Sequence, residues 1–441
     1  MTLHRDRRAP TTAAYESIVL GAGISGLVAA SMLLASGKSR ILVIDEFSHV
    51  GGNHIDVSID GYTFDIGSFF FQDDSPFLKH FPEILPLYQS GEYTIGRLSP
   101  QGAVTRYPIS LRDDVIGAGP SEWLRILASL ALGRIFANPD ANALTFAEYW
   151  LGRHFVNRSG LAGYMRRFYG VEADHIEAAF ARKRMHWISS NASIRGVLSL
   201  RAGATPAKLN RELVRPRAGF HVLYNAVQSS LTSRGVEFKL SEELLSLDQA
   251  PDSCISVRTA RSNVTAASVV STIPVNRALS LAGIEKVKGL DSVELLTLFY
   301  SHDGARGFRP PVLYNFDNGG AWKRLTVHSD FYGVVRGREY FSVEFNSSHV
   351  DSSAGTASRN FREHVSSFGL FPGDLRLEGS RSTQNAYPIY VAGATCAAEI
   401  AVSKLREFGL LSFGRQGGFD YQPTGRVSTL VAERAISSLS K

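Results

Sequence analysis

The sequence predicts an α/β protein in which a Rossmann-type domain is interrupted by a helical lobe and by a mostly antiparallel β-sheet domain. Three observations lead to this prediction. A strand, a glycine-rich turn, a helix and a second strand follow one another within residues 17–46, helical segments dominate residues 111–215, and strand-like runs separated by polar turns fill residues 294–345. The chain has 441 residues, enough for two or three domains of ordinary size.

The overall composition is that of a folded protein with a mild positive charge. Hydrophobic residues make up 44% of the chain and charged residues 20%, which excludes the disordered, collagen-like and coiled-coil classes. The formal net charge is +6, but no basic stripe with interleaved aromatic residues is present, so we expect no nucleic-acid partner.

The cysteines and histidines give no sign of a disulfide framework or a metal site. Cys254 and Cys396 are too few for such a framework, neither lies in a CxxC motif, and the 12 histidines lack metal-ligand spacing. We therefore predict a reducing, cytoplasmic location and no bound metal.

The N-terminus has features of a signal peptide, because Arg5, Arg7 and Arg8 precede an uncharged stretch that begins at Ser17. That stretch contains three glycines at fixed spacing and leads to a second strand, an arrangement that a signal sequence does not need. We predict a disordered leader at residues 1–14 and a folded start at residue 15. Since no other uncharged run could span a bilayer, we expect no membrane partner.

The strongest local pattern is a dinucleotide-binding motif. The strand Ser17–Leu20 leads directly into Gly21-Ala22-Gly23-Ile24-Ser25-Gly26, a helix follows at Leu27–Ser36, and the second strand Ile41–Ile44 ends at two acids. In such a unit the glycines allow a tight turn, a close approach of backbone N–H groups to a pyrophosphate, and close packing of helix on strand. The helix N-terminus attracts phosphate, and an acid about 20 residues further on binds ribose. The predicted contacts are Gly21, Gly23, Ile24, Ser25, Gly26, Asp45 and Glu46.

The segments that follow favour FAD over a nicotinamide cofactor. The paired glycine in Val50-Gly51-Gly52-Asn53 is followed by a hairpin-like segment and by Asp65-Ile66-Gly67-Ser68, and near the end of the chain a strand at Leu410–Phe413 precedes Gly414-Arg415. These segments resemble flavoproteins of the amine oxidase and sugar mutase superfamily, in which they line the flavin. The resemblance implies FAD as the cofactor. The further contacts that it implies are Gly52, Asn53, Gly67, Ser68, Gly414 and Arg415.

Between these segments the patterns predict the other two parts of the protein. The predicted helices of the lobe are Glu122–Leu132, Thr145–Phe155 and helices within Gly160–His186. The predicted strands of the antiparallel sheet are Leu295–Tyr300, Val312–Phe316, Arg324–His328, Tyr332–Val335 and Tyr340–Phe345. The FAD-binding domain is assigned to residues 15–110, 216–285 and 401–441, the helical lobe to residues 111–215, and the substrate domain to residues 286–400.

Several short segments together resemble the UDP-galactopyranose mutase family. They follow the flavin motifs in family order and are Tyr169-Gly170, Pro216-Arg217-Ala218-Gly219-Phe220, Ser271-Thr272-Ile273-Pro274, Trp322-Lys323-Arg324 and Ala386-Tyr387-Pro388. The resemblance implies a flavin-dependent nucleotide-sugar mutase, in which N5 of reduced FAD attacks the anomeric carbon and the nucleoside diphosphate leaves and returns. It implies a nucleotide-sugar substrate, NAD(P)H or another reductant, and no net redox change.

The resemblance also implies roles for individual residues. Arg324 matches the position that holds the diphosphate, and Arg182 and Arg184 approximate to the mobile-loop arginine that closes on it, so these three are the expected catalytic residues. Tyr387 matches a tyrosine that reaches the phosphates, and Tyr169 replaces a base-stacking tryptophan. The alternative is that Arg182 and Arg184 lie on a solvent-exposed helix face and have no role in binding.

Two departures from the family pattern leave the reaction open. Phe69 and Gln72 stand where the family has histidines beside the flavin, and Val391 stands where the family has an acid after the Tyr-Pro motif. We expect Phe69 and Gln72 to contact the substrate, and the departures imply a different sugar, nucleotide or reaction.

A second hypothesis is an FAD-dependent oxidase or desaturase of the amine oxidase class. The apolar run Phe69-Phe70-Phe71 would then line a pocket for an amine or a hydrocarbon, with O2 or NAD(P)+ as the final acceptor. A third hypothesis is a non-catalytic flavin-binding protein. Assembly as a homodimer is left open.

Overall fold

The computed structural model describes residues 14–67, 70–109, 114–184, 210–250, 253–349 and 353–440. Its helices are α1 Ile24–Ala35, α2 Phe77–His80, α3 Pro120–Phe136, α4 Ala143–Leu151, α5 Arg153–Ser159, α6 Leu161–Tyr169, α7 Ala178–Arg184, α8 Phe220–Ser233, α9 Val275–Leu281, α10 Ser329–Tyr332, α11 Ala354–Ser367, α12 Ala394–Phe408, α13 Gly414–Gly417 and α14 Gly425–Ser437. Its strands are β1 Tyr15–Leu20, β2 Ile41–Ile44, β3 Asp56–Ile59, β4 Tyr62–Asp65, β5 Phe71–Gln72, β6 Gln89–Ser90, β7 Ile95–Leu98, β8 Val104–Arg106, β9 Glu212–Val214, β10 Val236–Lys239, β11 Leu244–Gln249, β12 Ile255–Thr259, β13 Asn263–Ser271, β14 Ser292–Asp303, β15 Val312–Asn315, β16 Trp322–Val327, β17 Glu339–Asn346, β18 Asp374–Pro388 and β19 Leu410–Ser412.

The first sheet is the Rossmann-type core. Its order is β10-β2-β1-β13-β12-β11, with β19 also pairing with β13. The pairs β10–β2, β2–β1, β1–β13 and β13–β19 are parallel, whereas β11 and β12 continue the sheet in antiparallel pairs. Because the carboxyl ends of parallel strands share one edge, segments that are far apart in the sequence meet there.

The second sheet has the order β18-β14-β17-β16-β15-β7-β8, and every pair is antiparallel except β15–β7. One face carries Leu298, Trp322, Leu325, Phe341 and Val343, which pack in an apolar cluster that includes residues of α11. The opposite face meets the β3–β4 hairpin at one end, through contacts such as Phe64 on Phe299 at 4.8 Å between ring centroids. Tyr314 on that face contacts Tyr164 of α6 at 5.8 Å between ring centroids, so the face spans from the first domain to the helices.

The α/β fold class with sheets of mixed orientation confirms the prediction from the sequence. Strand β1, the fingerprint helix α1 and strand β2 lie where the sequence predicts them. The sequence analysis does not assign β18, α11 or α12, and it does not anticipate that β7 and β8 join the second sheet. The domain boundaries remain predictions.

Two predicted elements are wrong. The helix predicted at Thr145–Phe155 is broken into α4 and α5 by Gly152, which has φ +81 and would bring a Cβ within 2.6 Å of the backbone N of Leu130. The strand predicted at Tyr332–Val335 is instead the end of α10 followed by a turn, because hydrogen bonds such as that from Gly333 N to Ser329 O close a helical turn. An apolar run of four residues fits either structure, and the local sequence does not decide between them.

In the part of the chain that the structure describes, no helix combines the length and the apolar character that crossing a bilayer would need.

Candidate functional site

Three glycine-containing turns meet at the carboxyl edge of the first sheet. Gly23 forms a parallel bridge with Gly51, and a Cβ on Gly52 would lie 3.2 Å from Cα of Gly23. A Cβ on Gly414 would lie 3.0 Å from Oγ of Ser25. We call this convergence of residues 21–26, 51–52 and 414–415 the cradle. Its surfaces are backbone, so a ligand can approach the main chain closely.

The start of α1 offers unsatisfied backbone donors to the cradle. The helix begins after Gly23, which has no side chain to cap the first N–H groups. A Cβ on Gly26 would lie 1.9 Å from the carbonyl O of Gly21, so only glycine lets the turn close against the helix. Free N–H groups at a helix N-terminus suit a phosphate.

Asp45 ends β2 beside the same turn. Its carboxylate accepts hydrogen bonds from the backbone N of Ala22 at 2.6 Å and of Phe47 at 2.8 Å. Burial raises the pKa of Asp45, although these hydrogen bonds oppose the shift. Glu46 is exposed and lines a cavity of about 560 Å³, which also includes Arg381. Together they give this edge acceptors suited to ribose hydroxyls.

Arg415 connects the cradle to the second sheet. Its guanidinium donates to the carbonyl oxygens of Gln422 at 2.7 Å and of Ala386 at 3.4 Å. Burial lowers the pKa of Arg415. Because carbonyl oxygens carry no net charge, these bonds orient the cation without neutralising it.

A buried ion pair holds the segment of the chain that leads to Gly67. Asp65 pairs with Arg215, and both side chains are fully buried. Tyr332 donates to Asp65 at 3.3 Å, and Nδ1 of His328 lies 3.5 Å from the same carboxylate. Burial by itself would raise the pKa of Asp65, but Arg215 and His328 outweigh it and lower that pKa. This cluster fixes the β3–β4 hairpin against the second sheet. Among the described residues, no atom lies within 4 Å of a Cβ placed on Gly67.

The cradle fits a flavin dinucleotide. It offers helix-terminal N–H groups and close backbone approach for a pyrophosphate, Asp45 and Glu46 for the ribose, and Asn53 beside the paired glycine. Gly67 and Arg415 follow toward the second sheet. Ser68, which the sequence also predicts as a contact, lies outside the described residues.

A row of polar side chains crosses the second sheet. Successive residues along a strand alternate between the two faces of a sheet, and residues paired in register across strands share a face. A row of residues in register therefore lies on one face. The polar row consists of Arg381 on β18, Thr297 on β14, Glu344 on β17, Arg324 on β16, Tyr314 on β15, Arg97 on β7 and Thr105 on β8.

The polar row extends from the cradle to the helical lobe. At one end, Arg381 lines the same cavity as Val50, next to the paired glycine. At the other end, Arg97 is fully buried, pairs with Asp114 and donates to the carbonyl O of Ser159 at the end of α5 at 2.9 Å. The centre of the row therefore lies between the predicted cofactor site and the helices.

A β-bulge concentrates charge at the centre of this row. The register shifts between Trp322 and Arg324, so Lys323 and Arg324 both turn toward Glu344 while Trp322 packs on the opposite face. Nζ of Lys323 lies 3.0 Å from Oε2 of Glu344, and Arg324 pairs with Oε1. Two cations thus share one carboxylate, with their side chains 3% and 14% exposed.

The pKa values of these groups follow from burial and from this pairing. Burial by itself would raise the pKa of Glu344, but Arg324 and Lys323 lower it to about 2. Burial lowers the pKa of Lys323 to about 8, because Glu344 offsets only part of the desolvation. Burial would also lower the pKa of Arg324, but Glu344 raises it. At neutral pH the cluster therefore carries a net charge of about +1.

Aromatic residues of α6 and β18 cover Lys323. Its Nζ donates to the hydroxyl of Tyr387 at 2.9 Å and lies 4.6 Å from the ring centroid of Phe168. Tyr387 in turn donates to the carbonyl O of Phe168 at 2.7 Å. Tyr169 is buried, with its ring edge-on to Tyr387 at 6.4 Å. The structure therefore brings Tyr169, Tyr387 and Arg324 together, as the resemblance implies.

Some buried polar atoms on this face have no hydrogen-bond partner among the described residues. They include Nε of Arg324 and the hydroxyl oxygens of Thr297, Thr383 and Thr105. Buried polar atoms normally find partners, because desolvation without a hydrogen bond is costly. These atoms are available to a polar ligand on this face.

Other predicted site residues lie elsewhere or are not described. Arg182 is half-exposed, pairs with Asp140 and lines a separate cavity of about 800 Å³ that contains no member of the polar row. Gln72 is exposed, and its side-chain oxygen accepts from Arg426 at 3.4 Å. The side chain of Arg184 and the whole of Phe69 lie outside the described residues.

The sequence analysis missed Lys323, Glu344 and Thr297 as site residues. A usable signal was present for Glu344, since a single acid interrupts the apolar positions of the predicted strand Tyr340–Phe345. A charge at such a position is buried only if a partner meets it. The partner depends on the bulge at Lys323, which has no sequence signature of its own.

Comparisons with known proteins agree with this geometry. The sequence profile of the family described as flavin containing amine oxidoreductase matches residues 24–358. A crystal structure of reduced UDP-galactopyranose mutase superposes with a TM-score of 0.78 at 16% identity, covering 98% of this chain and 94% of that one. A putative protoporphyrinogen oxidase from an Exiguobacterium species superposes with a TM-score of 0.72 at 15% identity, covering 97% and 99%. At these identities the likeness concerns the fold.

A curated relative is similar over a short segment. Chloroplastic prolycopene isomerase from Arabidopsis thaliana is 48% identical over 54 residues, which is 12% of this chain and 9% of that protein. The chain therefore matches less than a tenth of the length of this relative.

Proposed function

Because the chain belongs to the flavin containing amine oxidoreductase family and FAD is its cofactor, we propose that it is an FAD-dependent mutase that isomerises the ring of a nucleotide sugar. In this proposal the cradle holds the cofactor pyrophosphate, and the centre of the polar row holds the diphosphate of the substrate. NAD(P)H or another reductant keeps the flavin reduced.

The single observation that carries the proposal is the charge at the centre of the polar row. Among the described residues, Glu344 is the one carboxylate that pairs with Lys323 and Arg324, and Nε of Arg324 has no partner there. A buried cluster with excess positive charge is stabilised by an anion that reaches it, and guanidinium groups bind diphosphate oxygens well. An uncharged hydrocarbon would leave the excess charge uncompensated.

Each residue then has a defined task. When bound and reduced, FAD supplies the nucleophilic electron pair, so the protein needs no nucleophilic side chain of its own. Arg324 and Lys323 stabilise the diphosphate as it separates from the sugar. Burial raises the pKa of Tyr387, so its hydroxyl stays protonated. That hydroxyl donates to the carbonyl O of Phe168 and accepts from Nζ of Lys323, which holds the cation in place beside Arg324. Tyr169 and Phe168 exclude water from this region.

The two departures from the mutase pattern bear on the sugar and not on the diphosphate. Gln72 faces Arg426, and Val391 forms an isolated bridge with Ile176 of the helical lobe. Neither residue belongs to the polar row. The proposal therefore specifies a nucleoside diphosphate and leaves the identity of the sugar open.

A second candidate is an oxidase or desaturase that acts on an amine or an apolar substrate. It is favoured by the aromatic surface that follows Gly67, where Phe70 stacks on Tyr93 at 3.5 Å between ring centroids and Phe71 contacts His54 and Tyr88. Oxidation would consume O2 or NAD(P)+, whereas isomerisation consumes neither.

Turnover measurements separate the two candidates. UDP-, GDP- and TDP-sugars are incubated with the holoprotein before and after dithionite reduction, and products are separated by chromatography. We expect isomerised nucleotide sugar only from the reduced protein, without net consumption of reductant. Anaerobic bleaching of the oxidised flavin by an amine or hydrocarbon, with H2O2 formed in air, would contradict the mutase.

Substitution of the central arginine tests the binding role. We expect Arg324→Ala to weaken UDP binding by about 2–5 kcal/mol, because a desolvated charge contact is lost. Arg324→Lys keeps the charge and shows whether the fork geometry is needed. Arg376→Ala is the matched control, since that side chain is 64% exposed on β18. Calorimetry on the holoprotein measures the affinity, and unchanged affinity in Arg324→Ala would remove this residue from the site.

A further inference from the structure

Helix α3 turns most of its large apolar side chains to solvent. Its large exposed residues are Trp123, Leu124, Leu127, Leu132, Ile135 and Phe136, with exposed fractions from 38% to 78%. The alanines at 128 and 131 are exposed between them. Elsewhere among the described residues, exposed large hydrophobic residues are scattered over several elements. A concentration of this kind marks an interaction surface.

The orientation of α3 follows from its packing against α4 and α5. A Cβ on Gly133 would lie 2.4 Å from the carbonyl O of Glu148, and a Cβ on Gly152 would lie 2.6 Å from the backbone N of Leu130. Oγ of Ser129 accepts from the backbone N of His154 at 2.9 Å. The helix therefore buries a narrow stripe that contains Ile126 and small residues, and its other large apolar side chains lie mostly on the outer face.

The charged groups beside this face are arranged asymmetrically. The side chains of Arg125 and Arg153 are 70% and 76% exposed. Their acidic partners Glu122 and Glu148 are only 14% and 10% exposed. Asp140, beyond the end of α3, is exposed but paired with Arg182. The surface beside the apolar face thus presents cations.

The area of the face argues against a dimer as its occupant. A helix of 17 residues is about 25 Å long, and a strip about 12 Å wide along it covers roughly 300 Å². A stable protein interface takes about 800 Å² from each partner. An amphipathic helix in a lipid interface has no such requirement, because it needs only to bury its apolar face to the depth of the headgroups.

We propose that α3 docks the protein on an anionic lipid bilayer, lying in the headgroup region with Leu124, Leu127 and Ile135 inserted. Arg125 and Arg153 contact the lipid phosphates. Trp123 suits this position, because its indole N–H already donates to the carbonyl O of Val115. The ring therefore presents only apolar surface to the lipid. Surface docking requires no spanning helix, so it revises the expectation of no membrane partner and is independent of the reaction catalysed.

Vesicle flotation of the FAD-loaded full chain tests the proposal. The vesicles are phosphatidylcholine alone or phosphatidylcholine with phosphatidylserine. We expect binding to the mixed vesicles that weakens with added salt, and at least about tenfold weaker binding for the double variant Leu127→Glu, Ile135→Glu. Ile400→Glu, on the exposed face of α12, is the matched control and should bind like the unaltered protein.

A second variant tests the electrostatic part. Arg125→Gln with Arg153→Gln should remove the preference for phosphatidylserine while retaining the FAD content of the unaltered protein. Flotation with neither vesicle, or unchanged flotation of the double glutamate variant, would overturn the proposal. So would a dimer in analytical ultracentrifugation that dissociates on the same double substitution, since α3 would then bind a second copy of the chain.

Discussion

The cradle and the polar row are both polar sites, yet they are built in opposite ways. The cradle consists of backbone, and glycine at Gly23, Gly26 and Gly52 allows segments to approach within contact distance. The polar row consists of side chains from seven strands, from Arg381 on β18 to Thr105 on β8. One site depends on the absence of side chains and the other on their exact register.

The difference teaches how each site tolerates change. A backbone site fails when any atom is added, because the close approach has no room for a Cβ. A side-chain site fails when charge is unbalanced, because a buried cation without its anion keeps its full desolvation cost. The predictions below probe these two failure modes.

The largest effect is expected at the cradle. Gly26→Ala places a Cβ 1.9 Å from the carbonyl O of Gly21, so the turn must open. We expect the purified protein to lose most of its FAD, as measured from the flavin absorbance per chain. Gly355→Ala is the control, because no atom of the described part of the chain lies within 4 Å of a Cβ added to this helical glycine. Equal FAD content in the two variants would refute the backbone account of the cradle.

The next effect is expected at the centre of the polar row. Glu344→Gln leaves Lys323 and Arg324 without their shared anion, and we expect a loss of about 3–5 kcal/mol in the free energy of unfolding. Urea denaturation measures it. Glu172→Gln removes the exposed partner of Arg166 and should cost less than about 1 kcal/mol. Similar losses in both variants would mean that the buried carboxylate of Glu344 stabilises the fold no more than an exposed ion pair does.

The contribution of Glu344 to the stability of the fold depends on pH in the acid range. The folded-state pKa of Glu344, about 2, lies below its ordinary value of 4.5, so its ionised form stabilises the fold above pH 4.5. That contribution is lost as the pH falls from 4.5 toward 2. We therefore expect the stability difference between the unaltered protein and Glu344→Gln to shrink over this range.

A smaller effect is expected from the titration of Lys323. Its folded-state pKa of about 8 means that the cation is lost as the pH rises from 7 to 9. If a diphosphate binds there, UDP affinity should fall by roughly tenfold over this interval. Lys323→Arg keeps its charge and should flatten the profile. A pH-independent affinity in the unaltered protein would separate Lys323 from the ligand.

The smallest effect is expected at Arg182. Since it pairs with Asp140 on an exposed surface and shares no cavity with Arg324, Arg182→Ala should change UDP affinity by less than about twofold. Calorimetry on the holoprotein measures this change. A loss as large as that of Arg324→Ala would restore Arg182 to the catalytic role implied by the family resemblance.

The prediction from sequence was most complete where local spacing decides the structure. Six residues from Gly21 to Gly26 define a turn and a helix start, and the apolar run Ile41–Ile44 ends at the acid that meets that turn. The resemblance also led to Arg324, Tyr387 and Tyr169, which lie together. It did not lead to Glu344, whose negative charge neutralises part of the positive charge of Lys323 and Arg324.

The sequence by itself determined the α/β class and the dinucleotide-binding turn, because glycine spacing and a short strand–turn–helix unit act within some thirty residues. FAD followed from the resemblance of several segments to flavoproteins. Only the tertiary structure decided which cations are buried, which carboxylate they share, and that α3 faces outward. Those outcomes depend on strand register, a one-residue bulge and the close packing of Gly133 and Gly152. Each of these outcomes depends on contacts between segments that are distant in the sequence. No local pattern of residues encodes such contacts.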